Sequence, residues 1–211
     1  MKIDVKKGAK LAKKEFHLRL KGKTAVFIDA ANIERSLADL GVILPRFKKV
    51  PKGVFWKAFP KGYWKVDYEK LYKYFKSNSQ LIAISFYSAR FNTDSHNQFL
   101  AFLKQNGYRL VTKPVKRIKT NEGNFRKANF DVEISVDAVS WLRNYDSFVL
   151  FSGDSDFAYL LNYLNRHDKK TVVISQRGHV SKELIKFSQQ YIDIYKLRDF
   201  IMRIKKQKSR T

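Results

Sequence analysis

The sequence predicts a three-layer α/β domain with a mainly parallel central sheet, and two observations carry that prediction. Short, largely apolar runs recur at residues 24–29, 81–88, 148–151 and 171–175, with the composition of strands buried on both faces. Longer stretches between them place apolar residues at helical spacing. Strands alternating with helices form βαβ units, which build a parallel sheet covered on both sides.

The elements follow in order. Residues 1–23 hold nine Lys/Arg against Asp4 and Glu15 and read as a basic arm. Residues 24–29 (TAVFID) are a strand, and residues 31–40 a helix ended by Gly41. Residues 41–65 break the rhythm with Pro45, Pro51, Pro60, Gly53 and Gly62, so they read as an insertion or long loop. Residues 66–78 form a helix on the spacing of Leu71, Tyr74 and Phe75, and residues 81–88 a strand. Residues 95–106 form a helix with Phe99, Phe102 and Leu103 inward, stopped by Gly107, before a strand at 108–115. Residues 130–144 form a helix with Val132, Val136 and Val139 inward at i, i+4 and i+7. After the strand at 148–151, residues 156–165 form a helix with Phe157, Leu160, Leu161 and Leu164 on one face. The strand at 171–175, a helix from about Ser181 and an apolar segment at 191–197 complete a domain over residues 24–200. Residues 201–211 are a basic tail; from Arg203 onward they carry five cations and no acid, and they read as frayed.

Composition bounds the function. The 211 residues carry 43 Lys/Arg against 19 Asp/Glu, a formal charge of +24, so the expected partner is a polyanion. With 44% hydrophobic and 15% aromatic residues the chain can bury a core, which excludes a wholly disordered polycation. The absence of cysteine excludes disulfides, thiolate zinc sites and a cysteine nucleophile. The four histidines, at 17, 96, 167 and 179, lack metal-ligand spacing. No apolar stretch is long enough to cross a bilayer, the basic start lacks the apolar region of a secretory signal, and no clean basic amphipathic helix stands out. A soluble cytoplasmic protein with no membrane partner is expected.

In so basic a chain, the placement of the acids is the sharper clue. Asp29 closes the first strand, and Asp154 and Asp156 follow the strand at 148–151. Open parallel sheets place ligand sites outside the carboxyl ends of their strands, where strand order reverses. If these two strands are neighbours, three carboxylates converge, and Asp131, Glu133 and Asp137 at the start of a helix can join them. Clustered carboxylates repel unless a divalent cation lies among them, and oxygen-only ligands select hard ions, Mg²⁺ or Mn²⁺. Such a site in a polycation suits hydrolysis of phosphodiesters. Each acid taken singly has a structural alternative: Asp29 can cap the helix after it, and Asp154 and Asp156 can cap the helix at 157–165.

Three motifs resemble those of the NYN-domain family, a LabA-like branch of the PIN-like nucleases: FIDAANI (27–33), KANFDVEISVDAV (127–139) and LFSGDSDFAYLL (150–161). The resemblance spans about residues 24–197 outside the insertion. It implies a Rossmann-like, PIN-type α/β/α fold and Mg²⁺- or Mn²⁺-dependent RNA cleavage. Carried over by position, Asp29 and Asp154 are metal ligands, Asp156 ligates directly or through water, Asn32 orients Asp29 or a water, and Asp131 completes the acidic cluster. Asp137 lies about 120° around an ideal helix from Asp131, so the two do not aim at one ion unless Asp131 precedes the helix proper. Ser152 and Ser155 have hydroxyls suited to turn or cap bonds. A haloacid-dehalogenase-type phosphohydrolase also begins with a strand ending in Asp, but it needs a second Asp where this chain has Ala31. The remaining rival is an RNA-binding or regulatory module of the same fold with weak or no catalysis.

The cations divide into surfaces. Residues 45–65 carry seven Lys/Arg and no acid, interleaved with six aromatics. Lys48, Lys49, Lys52 and Lys57 suit phosphates, and Trp56 and Trp64 suit stacking on unpaired bases of single-stranded RNA; the alternative is that these aromatics pack on the domain. Lys116, Arg117, Lys119, Arg126 and Lys127 form a second stretch, read as a flexible loop leading to Asp131, and Arg177 follows an expected strand end. RNA, single-stranded or structured, is the expected partner, with DNA second.

Overall fold

The computed structural model describes residues 18–38, 41–43, 61–120 and 123–206. Its centre is a six-stranded, all-parallel sheet formed by β1 (Lys23–Asp29), β4 (Gln80–Arg90), β5 (Tyr108–Pro114), β8 (Ser147–Phe151), β9 (Lys170–Ser175) and β10 (Gln190–Asp193). The order across the sheet is β10-β9-β8-β1-β4-β5. The chain starts in the middle, winds outward through β4 and β5, then returns to the other side of β1 for β8 to β10. That is the doubly wound order, with its switch point between β1 and β8.

The near-continuous apolarity of the strands follows from burial on both faces. On β1, Val26 and Ile28 enter one core while Ala25 and Phe27 enter the other. The first core is closed by α1 (Ala30–Ala38), α2 (Tyr68–Asn78), α3 (Asp94–Gln105) and α7 (Arg198–Ile201), through residues such as Ile33, Leu71, Phe75, Leu103 and Ile201. The second is closed by α4 (Asp131–Ser140), α5 (Ala158–Arg166) and α6 (Lys182–Phe187), through Ile134, Ala138, Leu161, Leu164 and Leu184. Side chains fix the helix starts: Asp67 accepts from Lys70 N–H, Thr93 from His96 N–H and Ser181 from Leu184 N–H. Gly107 ends α3 with φ +85°, and a side chain there would also strike the Tyr72 ring.

Five expectations change. Phe102, read as inward, is 39% exposed on α3, where Leu100 and Leu103 are the buried residues. In the helix read at 130–144, only Asp131–Ser140 is helical, and Val132, Val136 and Val139 are 72%, 56% and 40% exposed. Ile134 and Ala138 face the core instead. Val136 is two residues, or 200°, from Ile134, so choosing the valine stripe inverts the helix. The segment read as an insertion contains β2 (Gly41–Ile43) and ends in β3 (Lys61–Val66). The basic tail is not frayed over Met202–Lys206, which form β11; β11 and β2 flank β3 in a small antiparallel sheet. The basic stretch after β5 is a hairpin of β6 (Lys116–Thr120) and β7 (Gly123–Lys127) rather than a flexible loop. No helix among the described residues is long and apolar enough to cross a membrane.

Candidate metal centre

The switch point puts two strand ends side by side. β1 and β8 run parallel in a register that sets Ile28 opposite Phe151, so Asp29 and Ser152 leave the sheet together. Asp29 keeps only 9% of its surface and serves two neighbours. One carboxylate oxygen accepts the Asn32 N–H at 3.2 Å and the other accepts the Ser152 hydroxyl at 3.2 Å. Burial raises its pKa above the ordinary carboxylate value; these two hydrogen bonds pull it down, and the charges of Asp131 and Asp154 push it up again. Asp29 thus caps α1 and also faces the acids across the cleft, so the structural and functional readings of this residue coexist.

Asn32 bonds both strand ends. Its backbone N–H meets Asp29, while its side-chain oxygen accepts the Gly153 N–H at 2.8 Å, tying the end of β1 to the turn after β8. Within that turn the Asp154 N–H donates to Ser152 Oγ at 3.3 Å, and Asp154 Oδ1 accepts the Asp156 N–H at 3.2 Å, starting a 3₁₀ turn over Ser155–Phe157. Gly153 permits this packing. A methyl group there would lie 1.8 Å from the His179 carbonyl oxygen, and the Gly153 carbonyl accepts the Ser181 N–H at 2.9 Å.

The third contribution comes from the start of α4. Asn129 donates to the Asp131 carboxylate and accepts the Asp131 N–H, aiming the acid at the cleft. The carboxylate oxygens of Asp131, Asp154 and Asp156 lie within 4.8 Å of one another. With Asp29 they line an open cleft of about 350 Å³ that also presents Asn32, Arg35 and Phe91.

Asp137 is not among the clustered acids. Its carboxylate accepts from Arg109 at 2.7 Å and from the Tyr87 hydroxyl at 2.9 Å, and the Arg109 guanidinium lies over the Trp141 ring. Glu133 pairs with Lys113 at 2.6 Å. Both therefore fasten α4 to the sheet, and the expected ligand role of Asp137 is set aside.

Among the expected nucleic-acid contacts, Trp64 packs edge-on against Tyr195 and onto the core, as the packing alternative requires. Lys48, Lys49, Lys52, Trp56 and Lys57 lie outside the described residues. Lys116, Arg117, Lys119, Arg126 and Lys127 sit on a hairpin whose flanking residues, Val115 and Ala128, both line the cleft. Arg177 is exposed, with its N–H near Asp193, and does not belong to the described lining. Arg35 and Asn129 were missed. Arg35 lies three residues after Asn32, on the same side of α1, and Asn129 lies two before Asp131, a spacing suited to an Asx turn.

The comparisons agree with this geometry. The low amplitude and bright protein LabA of Synechococcus elongatus is 32% identical over 149 residues, which cover 68% of this chain and 80% of that protein. A crystal structure of a protein of unknown function from Vibrio parahaemolyticus superposes with a TM-score of 0.64 at 21% identity, covering 88% of this chain and 99% of that one, and so shares its fold. The sequence profile of the NYN domain matches residues 23–197, and the chain belongs to the NYN-domain family.

Proposed function

We propose that this chain is a metal-dependent ribonuclease that hydrolyses phosphodiester bonds at the Asp29–Asp131–Asp154–Asp156 cleft. NYN domains are generally nucleases acting on nucleic acids. The observation that carries the reading is the convergence of Asp131, Asp154 and Asp156 within 4.8 Å at the switch point of the sheet. The donor set suits a hard divalent ion: every clustered ligand atom is a carboxylate oxygen, with no histidine in the group and no cysteine in the chain. Asp131, Asp154 and Asp156 would hold Mg²⁺ or Mn²⁺, with Asp29 beside them. Such an ion, when bound, lowers the pKa of its water and offsets charge on the phosphate.

The chain's own groups perform the remaining tasks. Asn129 aims Asp131, Asn32 and Ser152 lock the two strand ends in register, and Arg35 supplies a cation inside the cleft. The hairpin register sets Lys116 opposite Lys127 and Arg117 opposite Arg126. Like charges directly opposite each other destabilise a ladder, and a nucleic-acid backbone lying across them relieves that cost. The cations bind phosphates while the acids receive the scissile one.

The test is RNA cleavage in Mn²⁺ by Asp154→Asn. Lost cleavage with retained or tighter RNA binding supports the reading; undiminished cleavage overturns it. A wild-type chain that binds RNA in Mn²⁺ without cutting it is instead a binding module of the same fold.

A further inference from the structure

The α4–α5 face presents what a nucleic-acid surface should not. Val132, Val136 and Val139 on α4 point to solvent, and Tyr159 on α5 is 78% exposed. β-Branched residues are poor helix formers, so three on an exposed helix face have no local reason to be there. Between the two helices runs a mainly apolar groove of about 470 Å³, lined by Val136, Val139, Tyr159 and Tyr163 and reaching Asp156 at one end.

Charge on this face is depleted as well. Residues 128–165 contain one Lys/Arg, Arg143, in a chain that holds 43. The acids of α4 beyond its first residue are neutralised from β5: Glu133 by Lys113 and Asp137 by Arg109. What α4 turns outward is therefore uncharged and apolar. A nucleic-acid strand needs cations to hold its phosphates, and among the described residues none lines the groove.

We propose that this face is an isologous interface to a second copy of the chain. Two molecules of charge +24 repel wherever their basic surfaces approach, so association selects a face without cations. Apart from Asp156 at one end, the face is apolar and uncharged and so is its own complement, which is what a two-fold interface requires. Asp156 lines both the groove and the acidic cleft, so the dimer sets its two clefts beside the interface. The proposal does not depend on whether the cleft cuts RNA.

The experiment is sedimentation equilibrium of the full chain, freed of nucleic acid by nuclease treatment, at low and high salt. The expected result is a dimer that tightens as salt screens the repulsion between copies, whereas association through bound nucleic acid loosens. Val136→Lys and Tyr159→Lys, each on an exposed helix surface, raise the dimer dissociation constant at least roughly tenfold, because each buries an unpaired ammonium. Circular dichroism confirms that the variants fold. A wild type that stays monomeric at its highest soluble concentration in high salt overturns the proposal, as do variants that dimerise like the wild type. A monomeric wild type whose Val136→Lys form loses RNA affinity assigns the face to nucleic acid. One whose Val136→Lys form exposes residues 1–17 to protease assigns it to the chain's own arm.

Discussion

Replacing Asn32 by Ala tests whether the strand ends are locked or merely adjacent. The substitution removes the acceptor of the Gly153 N–H, a 2.8 Å bond across a sequence separation of 121 residues. Gly153 is buried and pinned by the His179 carbonyl on its other side, so its N–H cannot turn to water. An orphaned buried donor costs ~1–3 kcal/mol. For a chain of this size that lowers Tm by roughly 2–4 °C per kcal/mol, so a fall of about 2–12 °C is expected in a melt without metal. Asn32→Asp separates the hydrogen bond from the charge: its carboxylate still accepts from Gly153 but adds a fifth carboxylate to Asp29, Asp131, Asp154 and Asp156. It should melt below the wild type in chelator and regain most of the difference when Mg²⁺ is added. An Asn32→Ala protein that melts within a degree of the wild type would refute the lock.

Other predictions follow from single contacts. Asp137→Asn loses the Arg109 ion pair, which is partly solvated, so it should cost about 1 kcal/mol and leave Mn²⁺ affinity by titration calorimetry unchanged; weakened metal binding would restore Asp137 as a ligand. Gly153→Ala forces a methyl into the His179 carbonyl and should cost about 3 kcal/mol or more in a denaturant melt, and a near-neutral result would mean that the turn adapts freely. Asp29→Asn carries a pH signature. Burial raises the folded-state pKa of Asp29, so its charge costs stability that is absent below the ordinary value of 3.8 and fully present above the folded pKa. In chelator, Asp29→Asn should therefore melt above the wild type near neutral pH, with the gap closing as pH falls through that window and reversing in saturating Mg²⁺. A melt below the wild type in chelator at neutral pH would mean that the Ser152 and Asn32 bonds outweigh burial.

The sequence made the switch point legible because the strands on either side of it are dense apolar runs that end in polar turns. Thr24 to Ile28 and Phe148 to Phe151 have no competing helical reading, and the acids after them are fixed to within a residue. Where helical phase decided the matter, the reading was weaker. Asp131 and Asp137 lie on the same helix and differ only in which way they turn, and Arg109, 22 residues before Asp131, settles it. The valines of α4 match a core stripe as well as Ile134 and Ala138 do, because apolar residues lie on both sides of that helix. The edge strands were the least legible. β6, β7 and β11 are rich in Lys and Arg and lack the alternation that marks a half-buried strand; charged edges are how sheets avoid unwanted pairing, so their signal is suppressed by design.

The acids and cations of this chain solve one electrostatic problem between them. Asp131, Asp154 and Asp156 lie close enough to repel, and Asp29 is held next to them with its charge largely stripped of water. Folding alone does not reward that arrangement: for capping, Asp29 and Asp154 each need only their own turn, and nothing in capping requires the turns to meet. Asn32 and Ser152 nonetheless spend hydrogen bonds on bringing the turns together. Mutual repulsion held in place by non-local bonds is what the proposed divalent ion would offset, since clustered carboxylate oxygens suit a hard cation. If that ion is bound, the cations on β6 and β7 are not there to neutralise the acids, since a cation paired with them would compete for the ion. On that reading they would serve a second negative partner, the nucleic-acid backbone proposed above, for which a metal and a basic track act together.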